Sequence, residues 1–242
     1  QAFIKGEKNI KDFSYGFLPF IVLTGVIALL VILQPDVGTM SIIAIIACTM
    51  YFIAGASFSH VALAVAGAVG LFFILINTAS YRFKRFMTFL HPQLDPLGIG
   101  YHINQALLAV GSGGLFGRGF GHSRQKYANL PEVTGDSIFA VAAEELGFIL
   151  SVCLILLFVY IAFRGLRIAR NAPDEFGKLV AVGVVAWIFF QAFINIGAML
   201  AILPLTGIPL PFISYGGSSL LVLLTAVGIL INISRQSLPS RT

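Results

Sequence analysis

Long apolar stretches constrain this chain more than any other feature of its sequence. A helix needs about 20 mostly apolar residues to cross the hydrocarbon core of a bilayer, and six stretches meet or approach that length. They are residues 17–33, 40–53, 60–77, 138–163, 179–203 and 213–233. We therefore predict an all-α, polytopic bundle of about six transmembrane helices.

Composition excludes the main soluble alternatives. Hydrophobic residues make up 58% of the chain and charged residues only 10%, whereas soluble domains carry about 25% charged residues. A chain of 26.0 kDa has too little interior to bury that much apolar surface. A soluble enzyme, a disordered chain and a disulfide scaffold are therefore excluded.

Basic residues predict the orientation of the bundle. Short segments outside the apolar stretches hold nine of the 15 Lys and Arg residues. They are Lys5, Lys8, Lys11, Arg164, Arg167, Arg170, Lys178, Arg235 and Arg241. Because short basic segments stay in the cytoplasm, we predict that both ends of the chain are cytoplasmic. Residues 78–137 then form a large extracytoplasmic loop within a single transmembrane domain, 1–242.

The remaining basic residues all fall in that external loop: Arg82, Lys84, Arg85, Arg118, Arg124 and Lys126. They suit lipid headgroups or an anionic ligand such as a pyrophosphate, which Arg holds bidentately. Residues 98–110 predict a short amphipathic helix with Gln105 on its polar face, either lying at the interface or sealing the bundle. Six glycines within residues 111–121 suit tight turning or a backbone cradle for phosphate.

Three carboxylates mark the fourth span. Asp136 stands at its external mouth, where it could cap the helix or serve as a base, and the pattern favours neither. Glu144 and Glu145 follow two turns further in, where ionisable groups are costly. Helical spacing puts only Glu144 near the face of Asp136. We expect both glutamates to line the cavity as fold-stabilising partners of basic groups, which the rest of a longer protein could supply.

Polar side chains also lie along the fifth span. Trp187, Gln191 and Asn195 are spaced by four, and we expect them to form hydrogen bonds to other helices. The next connection is rich in proline and reaches Ser-Tyr-Gly-Gly-Ser-Ser at 214–219, which predicts an irregular element against a cavity. The external histidines, His102 among them, match no metal-binding spacing.

In these motifs the sequence resembles the SEDS family of bacterial cell-wall synthesis, the FtsW, RodA and SpoVE proteins. The matching segments are Gln-Pro-Asp-Val-Gly-Thr at 34–39, Tyr81 with Arg82 and Arg85, 111–121, Leu-Pro-Glu at 130–132 with Asp136, Glu-Glu-Leu-Gly at 144–147, and Pro-Leu-Pro-Phe-Ile-Ser-Tyr-Gly-Gly-Ser-Ser at 209–219. Ser-Arg-Gln-Lys at 123–126 is similar to the division-type, FtsW branch. Family members have ten spans, so the resemblance implies that this chain is a C-terminal fragment with the last six, inactive alone.

The resemblance implies a peptidoglycan glycosyltransferase of the bacterial plasma membrane. It would polymerise lipid II into β-1,4 glycan strands and release undecaprenyl pyrophosphate, in cell division, cell shape and cell-wall biogenesis. Its implied partners are a class B penicillin-binding protein and other divisome proteins, with no nucleic acid. No cofactor is specified, and whether a divalent cation assists is left open. The alternative functions are a lipid II flippase and a non-catalytic scaffold for the penicillin-binding protein.

The family's catalytic Asp corresponds to Asp136, the expected general base. We expect the pyrophosphate to be bound by Arg82, Arg85, Arg124 and Lys126, and the sugar or lipid by Gln105, Ser214, Tyr215, Gly216, Gly217 and Ser218. The chain departs from the family pattern around the base. Thr134 and Gly135 stand where His-Thr is usual, and Ser137 where Phe is usual.

Overall fold

The computed structural model describes residues 10–34, 36–78, 80–128 and 130–236, and over these residues the chain forms helices and no strands. The helices are α1 (Leu18–Ile32, preceded by a π-helical turn at Phe13–Phe17), α2 (Val37–Ile53), α3 (Phe58–Thr78), α4 (Ser80–Leu90), α5 (Ile99–Ser112), α6 (Gln125–Ala128), α7 (Ile138–Arg170), α8 (Glu175–Met199) and α9 (Gly217–Gln236). The predicted all-α architecture is confirmed. Lys5, Lys8 and Arg241, on which the orientation partly rests, lie outside the described residues, as does Pro35.

Within the residues that the structure describes, five segments are long and apolar enough to cross a membrane: Phe13–Ile32, Phe58–Asn77, Ile138–Arg170, Glu175–Met199 and Gly217–Gln236. The second predicted span forms the apolar helix α2, but α2 has only 17 residues. At 1.5 Å per residue it measures about 26 Å, slightly less than the bilayer core.

The fifth and sixth spans end and begin at residues other than those predicted. Helix α8 ends at Met199, rather than at 203, because the N–H groups of Ile202 and Leu203 both turn back to the Gly197 carbonyl, at 2.8 and 3.0 Å. Helix α9 begins at Gly217, rather than at 213, because Ser214 N–H donates to the Leu210 carbonyl in a preceding turn.

Backbone contacts divide the chain into two compact units. One comprises the described parts of Gln1–Phe72, Tyr160–Phe190 and Leu221–Thr242, and the other those of Phe73–Val159 and Gln191–Leu220. In the first unit Phe20 stacks on Tyr51 with ring centroids 4.2 Å apart. A second apolar cluster in that unit includes Val182 and Leu230. All of the candidate site residues, which fall within residues 82–145 and 214–218, lie in the second unit.

Helix α7 is interrupted at Gly147, whose φ of 78° and ψ of −178° are not helical. The glycine-rich segment of the same unit fills the interruption. Arg118 and Gly119 N–H groups donate to the carbonyls of Glu144 and Glu145, both at 3.0 Å. In return, the N–H groups of residues 148 and 149 donate to the carbonyls of residues 114 and 115, at 2.8 and 3.2 Å. The loop thus replaces the hydrogen bonds that the break removes from the helix.

The predicted amphipathic helix at 98–110 is confirmed as α5, which runs from Ile99 to Ser112. Its buried side is formed by small and apolar residues, Ile103, Ala106 and Ala109. Because 14 residues are too few to span a bilayer, α5 belongs to the loop region, and its His102 contacts Ser137 in the segment that precedes α7.

Candidate active site

Asp136 lies two residues before α7 and is held there through its backbone. The Asn195 side-chain amide donates to the Asp136 carbonyl at 2.7 Å and to the Ile208 carbonyl at 2.7 Å. Asn195 is buried, with 1% of its surface exposed. A single side chain of α8 therefore fixes the position of Asp136 relative to the loop that connects α8 to α9.

That loop forms two more bonds to the residues just before Asp136. Ser214 Oγ donates to the Gly135 carbonyl at 2.6 Å, and Tyr215 N–H donates to the Thr134 carbonyl at 2.8 Å. Ser214 Oγ also accepts from Leu210 N–H at 2.7 Å. The Ser-Tyr motif, which we expected to bind sugar or lipid, is thus joined to the backbone beside the candidate base.

The polar stripe of α8 has acceptors different from those predicted. Gln191 Nε2 donates to the Pro209 carbonyl at 2.8 Å, and Asn195 donates to the two carbonyls named above. These acceptors belong to connecting segments, so the two bonds of the Asn195 amide do not join helices as we expected. The physical reason is that irregular backbone leaves carbonyls unpaired, and buried carbonyls need donors.

Asp136 has the electrostatics of a base. Burial raises the pKa of its carboxyl above the ordinary value, while the nearby His102 acts to lower it and the charge of Glu132 acts to raise it. A carboxylate with a raised pKa is a stronger proton acceptor, which is what general-base catalysis near neutral pH requires. Asp136 thus combines an accessible position outside the membrane-spanning segment with basicity.

His102, whose spacing to the other external histidines matches no metal site, is part of this candidate site. It lies on α5, one turn before Gln105, and its Nε2 is 2.7 Å from Ser137 Oγ. Burial lowers the pKa of His102, whereas the Asp136 and Glu132 carboxylates act to raise it. Its position on the same side of α5 as Gln105 was the signal in the sequence that could have identified it.

Of the four predicted cations, Arg85 is the one tied to these surroundings. Its Nη1 donates to the Leu205 carbonyl at 3.3 Å, its guanidinium lies over the Tyr81 ring at 4.9 Å, and its charge acts on His102. The Nε atoms of Arg82 and Arg85 are buried without a hydrogen-bond partner among the described residues. Unpaired buried donors of this kind are costly and favour an acceptor such as a phosphate oxygen.

Arg124 and Lys126 belong instead to a cluster around the two glutamates of α7. Glu144 accepts from Ser123 Oγ at 2.6 Å and from Arg124 N–H at 3.1 Å, and Lys126 Nζ lies 2.8 Å from Glu145. This hydrogen bond raises the pKa of Lys126.

The glutamates therefore find their partners in this chain. Arg118 Nε is 3.6 Å from Glu144, whose surface is fully buried. Both glutamates bind the segment that leads into α6, and no partner from outside the chain is needed to account for their burial. Glu144 and Glu145 lie six and seven residues after Ile138, the first residue of α7, which is about 9 and 10.5 Å of helix rise beyond the segment that carries Asp136.

The glycine-rich segment and the remaining candidates have less direct relations to Asp136. The N–H groups of Arg118 and Gly119 are engaged by α7, which leaves them unavailable to a phosphate. Gln105 is half-buried, whereas Tyr215, Gly217 and Ser218 are exposed at the start of α9.

No group of three or more His, Cys, Asp or Glu residues able to hold a metal ion occurs within the described part of the chain.

Comparison with known proteins agrees with the family resemblance found in the sequence. A family model described as "Cell cycle protein", of FtsW, RodA and SpoVE, matches residues 1–238. Stage V sporulation protein E of Bacillus subtilis is 48% identical over 233 residues, covering 96% of this chain and 63% of the relative. The probable peptidoglycan glycosyltransferase FtsW of Geobacter metallireducens is 39% identical over 232 residues, covering 96% of this chain and 62% of the relative.

A solved structure shares the fold. It is described as "Structural coordination of polymerization and crosslinking by a peptidoglycan synthase complex", and its matching chain superposes with a TM-score of 0.79 at 26% identity. The match covers 98% of this chain and 67% of the other. The chain spans 62–63% of the length of the two curated relatives described above.

Proposed function

Because the chain belongs to the FtsW, RodA and SpoVE family of cell cycle proteins, we propose that it is part of a peptidoglycan glycosyltransferase that polymerises lipid II. The observation that carries this proposal is Asp136, a carboxylate made basic by burial at the entrance of an apolar helix. The name of the Geobacter relative, a probable peptidoglycan glycosyltransferase, supports the same activity.

In this reaction Asp136 acts as the general base. Its carboxylate accepts the proton of the 4-hydroxyl of the acceptor's GlcNAc, and that oxygen forms a bond to C1 of the donor's MurNAc. The bond from C1 to the pyrophosphate oxygen breaks on the opposite face, so the configuration inverts and the electron pair leaves with undecaprenyl pyrophosphate. General-base assistance of this kind is worth about 10²- to 10⁴-fold in rate.

The leaving pyrophosphate needs a cation close to the reacting carbon, since charge develops there in the transition state. Arg85 fits this role best, because it interacts with His102 and its buried Nε has no partner among the described residues. Arg82, one turn before it, has the same unpaired Nε. Lys126 is neutralised by Glu145, so Arg124 and Lys126 suit a more distant part of the substrate.

The remaining functional assignments follow from family membership and the charge pattern. The protein lies in the bacterial plasma membrane with both ends of this chain in the cytoplasm and residues 78–137 outside. A class B penicillin-binding protein supplies the transpeptidase activity, and the similarity to a chain of a peptidoglycan synthase complex supports such a partner. The relatives named FtsW favour a role in division, within a family that also contains a sporulation protein.

The test is the polymerisation of labelled lipid II by the full-length membrane protein together with a transpeptidase-inactive partner. We expect Asp136→Asn to lower the rate at least about 100-fold. Asp174→Asn is the matched control, because Asp174 caps the N-terminus of α8 through Gly177 N–H and Asn caps helices equally well. We expect this control to keep the wild-type rate.

The same preparation separates the alternative functions. Polymer that depends on Asp136 supports the glycosyltransferase. Label that crosses sealed vesicles without polymer would instead indicate a flippase, and the absence of both activities would indicate a scaffold. A near wild-type rate for Asp136→Asn would refute the assignment of the base.

A further inference from the structure

The contact between His102 and Ser137 determines where two protons lie. Ser137 Oγ is 2.7 Å from the Pro131 carbonyl and 2.7 Å from His102 Nε2. The carbonyl can only accept, so the single hydroxyl proton of Ser137 points to Pro131. His102 must therefore donate its Nε2–H to Ser137, which leaves Nδ1 as the nitrogen that gains or loses a proton.

This arrangement brings an ionisable ring close to the candidate base. Ser137 follows Asp136 directly in sequence, is fully buried, and has its Oγ 3.4 Å from Asp136 Oδ1. The charged groups that act on His102 are Asp136, Glu132 and Arg85. Burial is the strongest influence and, together with Arg85, lowers the pKa of His102, while the two carboxylates act in the opposite direction and favour a positive charge on the ring.

We propose that His102 is a positioning residue for Asp136: it fixes Ser137 beside the carboxylate and supplies a positive charge that keeps the carboxylate ionised as the pH falls. This inference rests on the proposed function, because it assigns His102 its role through the base of that reaction. The two residues in contact are His102 and Ser137, and Ser137 stands where the family pattern has Phe.

The charge of His102 predicts a particular pH dependence. A base works only when it is ionised, so the acidic limb of the rate profile follows the ionisation of Asp136. While Nδ1 is protonated, the imidazolium stabilises the carboxylate and holds this limb at lower pH. Because the two groups interact, the limb belongs to the pair and not to Asp136 alone.

The experiment measures kcat/KM for lipid II polymerisation against pH for the full-length wild-type protein and for His102→Gln. The Gln amide can still donate to Ser137 Oγ but cannot become charged. We expect the acidic limb of His102→Gln to move to higher pH by about 1 unit, whatever the height of its plateau. A purely structural role would lower the plateau at every pH and leave the limb in place.

A compensating variant tests the electrostatic origin of the shift. Glu132 raises the pKa of Asp136, so we expect the double variant His102→Gln with Glu132→Gln to return the limb toward the wild-type position. If His102→Gln does not elute as a folded protein, His102→Asn removes the same charge and is used in its place. A limb that does not move in the folded variant overturns the inference.

Failure of this inference is distinguishable from failure of the proposed function. If Asp136→Asn is inactive and the limb of His102→Gln is unchanged, only the role of His102 is wrong. If Asp136→Asn polymerises lipid II at the wild-type rate, the base assignment is wrong and the role of His102 falls with it.

Discussion

Replacement of Gly147 by Ala should strongly destabilise the protein. Gly147 has a φ of 78° and a ψ of −178°, a region of backbone space that is almost exclusive to glycine and costs other residues about 1–3 kcal/mol. A Cβ at this position would also collide with Gly117 N and lie 2.8 Å from the Leu115 carbonyl oxygen. These are backbone atoms, so a side-chain rotation cannot relieve the collision.

The expected cost follows from what the collision displaces. Four backbone hydrogen bonds join the glycine-rich segment to α7 on both sides of the break, at 2.8 to 3.2 Å. Each contributes about 0.5–1.5 kcal/mol. Conformational strain and partial loss of these bonds together give a decrease in the free energy of unfolding of at least about 3 kcal/mol. For 150–250 residues that corresponds to a fall in Tm of about 6–12 °C, and the fall is smaller in a longer protein.

Two other glycines of the same region provide matched controls. A Cβ at Gly111, near the end of α5, or at Gly114 would meet no atom within 4 Å, but Gly114 has a φ of 56°. Gly111→Ala should therefore leave Tm unchanged or slightly higher. Gly114→Ala should show only the cost of the left-handed backbone, about 1–2 kcal/mol.

The assay is thermal unfolding of the full-length protein in detergent, followed by the fraction that elutes as a monodisperse peak after heating. We expect Tm to be highest for Gly111→Ala, lower for Gly114→Ala and lowest for Gly147→Ala. If Gly147→Ala and Gly111→Ala unfold at the same temperature, the glycine-rich segment does not stabilise α7 in the way that these contacts indicate.

Two further predictions concern Asp136 and its support. The pKa of Asp136 is raised in the folded state above its unfolded value near 3.8. Below pH 3.8 the protonated carboxyl therefore contributes its full stabilisation, and this contribution is lost as the pH rises through the folded-state pKa. Asp136→Asn should therefore raise Tm at neutral pH, and an equal gain at about pH 4 would contradict this. Asn195→Ala removes two bonds of 2.7 Å and should cost about 2 kcal/mol and reduce kcat about tenfold. The exposed Asn232, which only accepts from Gln236 Nε2 in the contacts described, should tolerate the same change, and equal effects at both positions would refute the role of Asn195.

Local sequence patterns predicted the helices well, because burial in a bilayer demands long apolar runs. Five predicted spans are helices long enough to cross a membrane, and α5 has the expected amphipathic form. The ends of α8 and α9 were predicted wrongly because turns that close on the carbonyls of Gly197 and Leu210 interrupt the helical backbone inside apolar runs. The bond from Tyr215 to Thr134, 81 residues away in the chain, is likewise contained in no local pattern.

The break in α7 was not visible in the sequence for a related reason. Residues 138–163 read as one apolar run, and Gly147 is one of many glycines in the chain. An interruption inside an apolar helix is stable only if other groups satisfy the freed N–H and carbonyl groups. Those groups come from residues 114–119, about 30 positions earlier, and their match to α7 exists only in three dimensions.

The position of the candidate base depends on the loop after α8 as much as on α7 itself. The carbonyls of Thr134, Gly135 and Asp136 accept hydrogen bonds from Tyr215, Ser214 and Asn195 respectively. The only proton of the Ser214 hydroxyl is used in this way. A substitution in the Ser-Tyr motif therefore acts on the placement of Asp136 even if the motif also contacts substrate. Since a base displaced by 1 Å can lose about 100-fold in rate, loss of activity at Ser214 would indicate displacement of Asp136 as readily as loss of a substrate contact.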